Sequence, residues 1–240
     1  MKAKKAEDIY GRIAKVYHSK VHTHFYNAFL EMPAMIRIVR EISVKDKKAL
    51  DLGCGTGRYA TLLLHAGAKV WGIDPSKEII KIAKQGNRGC NFRVGKAENL
   101  PYRPNFFDVV VSGLAIHYSE NLEKVFLGVN RVLKSGGFFV FSTSNPVTEI
   151  SDRVDSRHHT FDSYFKEGER KAHMPHFGVT VPYYHVTLET LINAIIQNGF
   201  IIEKYVDAKP IRAAEHAFPK EYKQALNKPY FCIFKLRKNL

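Results

Sequence analysis

The sequence predicts an α/β protein built on a parallel sheet, and three observations support this. From Lys48 to Ser142, short apolar runs alternate with helical patterns, as in successive βαβ units. A glycine-rich turn, Gly53 to Gly57, joins the first apolar run to the first helical pattern. The 240 residues are 45% hydrophobic, which is enough for one sizeable core and a small appended lid.

Each strand of this part is predicted from an apolar or β-branched run. These runs are Ala49–Leu52, Val70–Ile73, Asn91–Val94, Val109–Val111 and Phe138–Ser142. The helix after the glycine turn ends at Gly67, and the next opens at Pro75–Ser76. A third helix is predicted over Asn121–Leu133, followed by a turn at Gly136–Gly137.

After Pro146 the alternation stops, and residues 146–186 are rich in His, Tyr, Phe and charge without a clear period. A helix over Leu188–Asn198 and strands over Phe200–Tyr205 and Phe231–Leu236 follow, with no crossover helix between the two strands. At the other end of the chain, apolar and aromatic residues at helical spacing predict an amphipathic helix docked on the body, carrying Tyr10, Ile13, Ala14, Tyr17 and Val21. The predicted organisation is therefore an N-terminal helical cap (1–44), a ligand-binding core (45–145), a lid insertion (146–186) and the C-terminal part of the core sheet (187–240).

The composition limits the classes of partner. A formal net charge of +14 favours acidic partners such as nucleic acid, but the basic residues are scattered, so solubility alone is the preferred interpretation. Cys54, Cys90 and Cys232 fit no metal or disulfide spacing and suit a reducing compartment. No apolar run is long enough to cross a bilayer, and the first residues lack an apolar signal core, so we expect a soluble, cytoplasmic protein.

The glycine turn is the strongest local feature. Glycines at 53, 55 and 57 let the backbone turn sharply and approach a ligand closely. Asp74 ends the second strand, 21 residues after Gly53, where a carboxylate reaches both hydroxyls of a ribose. The alternative role for Asp74 is to cap the helix that follows it. With the glycine turn in front, we favour the ribose role.

Asp51 argues against a dinucleotide. The glycines run G-x-G-x-G rather than G-x-G-x-x-G, and the Asp51 carboxylate precedes them directly. A carboxylate at this turn would repel a pyrophosphate but suits an ammonium group, such as the amine of a methionine moiety. This favours S-adenosylmethionine over NAD.

Several further motifs stand in the order found in one family. They are DLGCGTG (51–57), GIDP (72–75), GKAENLP (95–101), FDVVV (107–111) and VLKSGG (132–137). Together they resemble the class I S-adenosylmethionine-dependent methyltransferases, nearest the small-molecule group that includes the ubiquinone and menaquinone methyltransferases. The resemblance covers roughly residues 48–142.

The resemblance implies a Rossmann-like seven-stranded sheet of order 3-2-1-4-5-7-6, with the last strand antiparallel, helices on both faces, and S-adenosylmethionine as cofactor. Asp51 and the loop that contains Gly53, Cys54, Gly55 and Gly57 would hold the methionine portion, with Cys54 a small neutral filler. The remaining implied or candidate cofactor residues are Asp74 for ribose, Pro75 and Ala97 at adenine, Glu98 and Leu114. Tyr17 is a candidate aromatic face for the sulfonium, with ordinary packing on one helical face as its alternative. Many relatives have Asp where this chain has Lys96, which cannot accept the bond from the adenine amino group; a backbone group, water or Glu98 would replace it.

His117 and His185 are the candidates for proton transfer. His117 follows the fourth strand at the ligand edge of the sheet, and its alternative role is to pack that loop. His185 precedes the helix at Leu188 and has bracing of the lid as its alternative. Segment 146–186 also holds His158, His159, His173 and His176, but without nearby cysteines or a helical His pair no metal site is predicted.

The preferred function is methyl transfer to a small molecule, with an acceptor that is anionic or aromatic. The alternatives are a methyltransferase that acts on RNA or protein, an NAD-dependent oxidoreductase, and a non-catalytic protein that binds the same cofactor. The sequence does not determine the acceptor atom or the oligomeric state.

Overall fold

A seven-stranded sheet forms the centre of the molecule in the computed structural model, which describes residues 5–148 and 164–239. Its strands are β1 (Lys48–Leu52), β2 (Lys69–Asp74), β3 (Asn91–Val94), β4 (Phe107–Gly113), β5 (Leu133–Ser144), β8 (Phe200–Asp207) and β9 (Phe231–Lys238). A separate hairpin consists of β6 (Gly168–Met174) and β7 (Val179–His185). The order β3-β2-β1-β4-β5-β9-β8, with β9 antiparallel to both neighbours, confirms the predicted sheet once the hairpin strands are left out of the count.

The parallel strands bring their carboxyl ends to one edge of the sheet. β1 ends at Leu52, β2 at Asp74 and β4 at Gly113, and the registers pair Asp51 with both Gly72 and Val111. In a sheet of this type, ligands bind beyond the carboxyl ends of the strands, where the strand order reverses. Here that point lies between β1 and β4.

Helices cover both faces of the sheet. They are α1 (Ala6–Arg12), α2 (Ala14–Val21), α3 (Met32–Val39), α4 (Arg58–His65), α5 (Lys77–Gly86), α6 (Leu122–Val132), α7 (Leu188–Gln197), α8 (Ala214–Ala217) and α9 (Pro219–Asn227), with a π-helix over Tyr26–Glu31. One apolar cluster lies between the sheet and α3 and α4, and contains Met35, Ile38 and Leu63. A second lies between the sheet and α6 and α7, and is built around Phe126 and Phe139.

Four features differ from the sequence prediction. The N-terminal helix is two helices, α1 and α2, because Ile13 leaves the helical conformation. Gly136–Gly137 is not a turn between elements: it lies inside β5, where the register with β4 jumps from Leu133 to Phe138. A hairpin, β6–β7, lies in the segment that showed no period.

The fourth difference is that two short helices, α8 and α9, lie between β8 and β9, where no helix was predicted. They do not cross the sheet. Instead Phe218, which joins them, packs its ring 5.3 Å from Phe29 and 5.7 Å from Phe25 in the N-terminal segment. No helix in the described part of the chain has the length and apolar character needed to cross a membrane.

Candidate functional site

A cavity of about 270 Å³ opens at the carboxyl edge of β1, β2 and β4. Its floor is the glycine loop, one wall is the segment after β3, and the other wall is the segment after β4. Helix α1 and hairpin β6–β7 close it from above, through Glu7, Tyr10, Glu169 and Tyr184. The cavity therefore lies where the sheet topology places a ligand.

Two positions of the glycine loop strongly favour glycine. Gly53 has φ +65°, and a Cβ there would lie 2.3 Å from the Cβ of Ala115. Gly57 has φ +94°, and a Cβ there would meet the side-chain amide of Asn87 at 2.6 Å. Side chains at these positions would both strain the backbone and separate the loop from its neighbours.

Asp51 is fully buried behind the loop. Its Oδ2 accepts a hydrogen bond of 2.8 Å from the Ala60 amide in the first turn of α4, while its Oδ1 is buried without a hydrogen-bond partner among the described residues. Burial raises the pKa of Asp51 to about 7, and repulsion from Asp74 adds to this effect. An unpartnered buried carboxylate oxygen is costly, and a cationic ligand group would lower that cost.

Asp74 lies between the glycine loop and the start of α5. Its Oδ1 accepts from the Ser76 amide at 2.9 Å, at the start of α5, and its Oδ2 accepts from the Gly55 amide at 3.1 Å. The same carboxylate lines the cavity. Burial raises its pKa to about 6, against the lowering effect of the two backbone bonds. Each oxygen retains a lone pair for a ligand hydroxyl.

Tyrosine side chains surround the cavity near the glycine loop. The Tyr10 and Tyr17 rings lie 5.3 Å apart, edge to face, and the Tyr10 and Tyr118 hydroxyls are 2.7 Å apart. Tyr17 also lies beside Gly55 and contacts Phe177 in the turn of the lid hairpin. Burial raises the pKa of Tyr10, Tyr17 and Tyr118, so all three hydroxyls stay protonated at neutral pH. The rings form an aromatic wall against which a cationic centre is attracted.

The cavity lining is acidic although the chain is basic. The charged residues that line it are five carboxylates and two lysines, namely Glu7, Asp74, Glu98, Glu120, Glu169, Lys5 and Lys96. Lys96 forms an ion pair of 2.9 Å with Glu7. Burial raises the pKa of Tyr184, and the negative charges of three glutamates raise it further, namely Glu120, Glu169 and Glu98. A lining of this charge favours neutral or cationic ligands.

A buried network, which sequence reasoning missed, supports the loop after β4. Glu31, at the end of the π-helix, is 1% exposed and accepts from the Tyr59 hydroxyl at 2.6 Å and the Ser142 hydroxyl at 2.5 Å. Ser142 Oγ in turn accepts from the amide of Leu114, which has φ +50°. Arg58 approaches Glu31 at 3.5 Å. Burial raises the pKa of Glu31, whereas the Arg58 charge and the hydrogen bonds lower it in part. π-Helical turns recur at functional sites.

The two candidate histidines lie beside the cavity, and neither is among its described lining residues. His117 Nδ1 is 3.2 Å from the Thr143 hydroxyl, and burial lowers its pKa to about 4, so the ring is neutral at physiological pH. His185 Nε2 donates to the Tyr164 carbonyl at 2.9 Å, next to the start of α7. This is the bracing arrangement considered for it above. A catalytic role for either residue stays a prediction.

Eight of the eleven residues predicted to bind a cofactor come together in the lining. They are Tyr17, Gly53, Gly55, Asp74, Pro75, Ala97, Glu98 and Leu114. Asp51, Cys54 and Gly57 instead lie around the loop: Cys54 is 6% exposed, and its donor contact goes to the Gly55 carbonyl. Glu7, Glu169 and Tyr184 also line the cavity, and no sequence motif pointed to them, because they lie on elements that are distant along the chain.

The described residues contain no group of three or more His, Cys, Asp or Glu able to hold a metal ion. His158 and His159 lie outside the described residues. His173 lies within hydrogen-bond distance of the Thr180 hydroxyl, at 3.2 Å, and His176 packs against His24 at 4.7 Å.

A second, open groove of about 770 Å³ lies away from the cavity, along edge strand β3. Its charged lining residues are all basic: Lys84, Arg88, Arg93 and Arg103. It reaches Trp71 and Asn91, at or near the amino-terminal ends of β2 and β3, whereas the cavity lies at their carboxyl ends. The groove and the cavity share no lining residue, so the positive charge lies on a different surface from the cavity.

Comparisons with known proteins agree with this geometry. Residues 50–141 match the family model of the methyltransferase domain. A crystal structure of an S-adenosylmethionine-dependent methyltransferase from Mesorhizobium loti superposes with a TM-score of 0.75 and 31% identity, covering 87% of this chain and 97% of that one. An uncharacterized protein of Haemophilus influenzae is 31% identical over 88% of both chains. The malonyl-[acyl-carrier protein] O-methyltransferase of Hamiltonella defensa is 30% identical over 55% of this chain and 51% of its own length.

Proposed function

The chain belongs to the class I S-adenosylmethionine-dependent methyltransferases, and we propose that it transfers the methyl group to a small-molecule acceptor by in-line displacement. The enclosed, tyrosine-lined and acidic cavity is the observation that carries this proposal. The cover formed by α1 and the hairpin favours a small acceptor over a macromolecule.

The residues of the cavity fit the cofactor. Gly53 and Gly55 bring the backbone close to the ligand, and the unpartnered Asp51 Oδ1 suits the ammonium of a methionine moiety. Asp74 holds a carboxylate at the end of β2, where it can accept from both ribose hydroxyls. Pro75 and Ala97 line the space for adenine, and Leu114 lines the opposite wall.

Bound S-adenosylmethionine supplies a methyl group on a sulfonium, which is an electrophile that needs no further activation. The protein has to align the acceptor and exclude water. Tyr17 lies beside Gly55 of the glycine loop, and the Tyr10 ring packs edge to face against Tyr17, so aromatic rings are available to attract a cation there. Tyr118 fixes the Tyr10 hydroxyl, and the hairpin turn with Phe177 covers Tyr17. Together these contacts hold the lid closed over the reacting centre.

The charge of the lining supports a neutral or cationic acceptor over an anionic one. Five carboxylates face two lysines in the cavity, so an anionic acceptor would meet net repulsion. The aromatic character suggested for the acceptor from sequence agrees with the wall of tyrosines.

RNA is the second candidate, and the basic groove along β3 favours it. Arg93 lies over the Tyr102 ring and Arg103 over the Phe106 ring, an arrangement that presents guanidinium groups to phosphates. An RNA bound there would have to reach the cavity from the other end of β3 and pass its acidic lining. The small-molecule acceptor is therefore preferred.

Methyl incorporation distinguishes the two candidates. The protein is incubated with radiolabelled S-adenosylmethionine and, separately, with small-molecule, RNA and protein fractions of one cell extract. We expect label in the small-molecule fraction, and its loss with Asp74→Ala. Label in RNA, together with its loss in an Arg93→Ala/Arg103→Ala variant, would overturn the small-molecule proposal in favour of RNA.

A further inference from the structure

Lys96 and Glu7 form an ion pair at the rim of the cavity, between the segment after β3 and helix α1. The Lys96 Nζ is 2.9 Å from Glu7 Oε1, and the two side chains are 50% and 28% exposed. Both residues line the cavity. An exposed pair of this kind stabilises a fold by little. Its position at the ligand edge points to a role in ligand recognition instead.

The ion pair occupies the place where an adenine ring needs an acceptor. In the proposed arrangement, ribose lies on Asp74 and adenine lies along residues 95–98. The adenine 6-amino group donates hydrogen bonds, and the Lys96 ammonium can only donate. The Lys96 side chain instead holds a carboxylate at this rim, and that carboxylate comes from another element of the fold.

We propose that Glu7, positioned by Lys96, accepts the hydrogen bond of the cofactor's adenine amino group and thereby selects adenine; this inference rests on the proposed placement of the cofactor. Glu7 Oε1 forms the ion pair with Lys96, and Glu7 Oε2 has no hydrogen-bond or ion-pair partner among the described residues. The Glu7 charge also reaches Asp74 and raises the pKa of that carboxyl, which places Glu7 near the ribose position.

The other carboxylates of the rim are less suited to this role. Glu98 Oε1 already accepts from the Ser119 hydroxyl at 2.6 Å, which directs it toward the start of α6. Glu120 follows Ser119 on that same side, and Glu169 belongs to the lid hairpin. Glu7 is the carboxylate that contacts residue 96.

Helix α1 carries both Glu7 and Tyr10, so adenine recognition and closure of the cavity involve one element. Gly11, at the end of α1, packs closely on α5: a Cβ at Gly11 would lie 3.1 Å from the Ser76 hydroxyl. Ser76 also donates its amide to Asp74. Adenine bound to Glu7 would therefore fix α1 over the ribose.

Isothermal titration calorimetry with two ligands tests this assignment. S-adenosylhomocysteine carries the 6-amino donor, and S-inosylhomocysteine carries a 6-oxo acceptor at the same position. For the unaltered protein we expect a preference for the adenosyl ligand of about tenfold to a hundredfold, since hydrogen bonds to charged groups contribute about 1.5–3 kcal/mol. Glu7→Gln should reduce this preference to about threefold or less, because an amide donates as readily as it accepts.

Two further variants complete the test. Asp8→Asn removes a carboxylate from the next, exposed position of the same helix, and should leave the preference as in the unaltered protein. The charge-exchanged variant Glu7→Lys/Lys96→Glu returns a carboxylate to the same rim and should recover most of the preference that Glu7→Lys alone loses. Thermal unfolding checks that each variant is folded.

A preference that is the same in Glu7→Gln and the unaltered protein would overturn the role of Glu7 while leaving the cofactor site intact. Equal affinity of the unaltered protein for both ligands would also overturn it. Failure of the unaltered protein to bind S-adenosylhomocysteine at all would instead refute the proposed cofactor site, and the Glu7 assignment with it.

Discussion

The contact between the glycine loop and the segment after β4 gives a quantitative prediction. In Gly53→Ala, the new Cβ would lie 2.3 Å from the Ala115 Cβ, and the residue would have to keep φ +65°. The left-handed conformation costs about 1–2 kcal/mol for a non-glycine residue. Overpacking adds about 1–3 kcal/mol. We therefore expect Gly53→Ala to lower the free energy of unfolding by about 2–5 kcal/mol.

Ala115→Gly separates the two contributions. It removes the atom that the new Cβ meets, and the next nearest atom, the Ala115 Cα at 3.7 Å, is in ordinary contact. Alone, Ala115→Gly should lower the free energy of unfolding by less than about 1 kcal/mol, because glycine increases the conformational entropy of the unfolded chain. In the double variant the overpacking disappears and the backbone strain remains. The coupling energy between the two sites should therefore be about 1–3 kcal/mol in favour of the double variant.

Urea unfolding of the four proteins of this cycle measures the coupling, and calorimetry with S-adenosylhomocysteine follows the site in parallel. The double variant should bind at least about tenfold more tightly than Gly53→Ala, because the loop returns toward its original position. A coupling energy within about 0.5 kcal/mol of zero, the usual limit of additivity, would refute the contact and the geometry of the cavity floor.

Three further predictions concern single side chains. Burial raises the pKa of Asp74 to about 6, so its ionisation should lower the free energy of unfolding between about pH 4 and 6, and affinity for S-adenosylhomocysteine should rise over the same range. Asp74→Asn should reduce both changes without removing them, because burial also raises the pKa of Asp51, to about 7; changes as large as in the unaltered protein, in unfolding and calorimetry from pH 4 to 7.5, would contradict this. Tyr17→Phe should bind S-adenosylmethionine with an affinity within about threefold of the unaltered protein, because the ring face and not the hydroxyl contributes to binding. Tyr17→Ala should bind about tenfold more weakly. An equal loss of affinity in the two variants would contradict this. Burial lowers the pKa of His117 to about 4, so the free energy of unfolding should fall by up to about 3 kcal/mol as pH drops from about 6.5 toward 4. His117→Gln should remove this fall. An unchanged kcat in the same variant would exclude proton transfer by His117.

The sheet was predictable because its evidence is local. The parallel strands β1, β2, β4 and β5 contain apolar or β-branched runs, and burial of both faces requires such runs. Edge strand β3 has the weakest signal, because Phe92 is its one buried residue. The order of the strands came instead from the family motifs. The helix boundaries agree where capping is explicit: the Ser76 hydroxyl caps α5 and the Asn121 side chain caps α6.

The lid hairpin was missed although β7 carries a period-two pattern. Val181, Tyr183 and His185 are buried in alternation along it, but a histidine and Pro182 in so short a run look like loop residues. The strand is held by its pairing with β6 and by packing on the N-terminal helices, neither of which is visible in the local sequence. Patterns weaken where tertiary contacts, and not local preference, decide the conformation.

Most of the predicted residues that line the cavity belong to motifs, and Tyr17 and Leu114 are the exceptions. Gly53, Asp74 and Ala97 follow strand ends, so their convergence follows from topology. Glu31 and Ser142, which share a hydrogen bond, are 111 residues apart. In the sequence Glu31 is one acid on an amphipathic stretch, and acids on such stretches are mostly exposed. Its burial depends on partners supplied by β5 and α4.

Net charge does not describe the surroundings of a ligand, for a related reason. The formal net charge of +14 describes the whole chain and does not say where the charges lie. In the cavity lining, five carboxylates outnumber two lysines. At physiological ionic strength the field of an exposed charge is screened within about 8 Å, so distant surface lysines contribute little inside the cavity. A ligand that enters there responds to the local acidic lining, whereas a polyanion on the surface responds to the basic groove along β3. The same chain can therefore be basic at its surface and acidic in its cavity, and for the small-molecule acceptor proposed above the charge of the cavity lining is the relevant one.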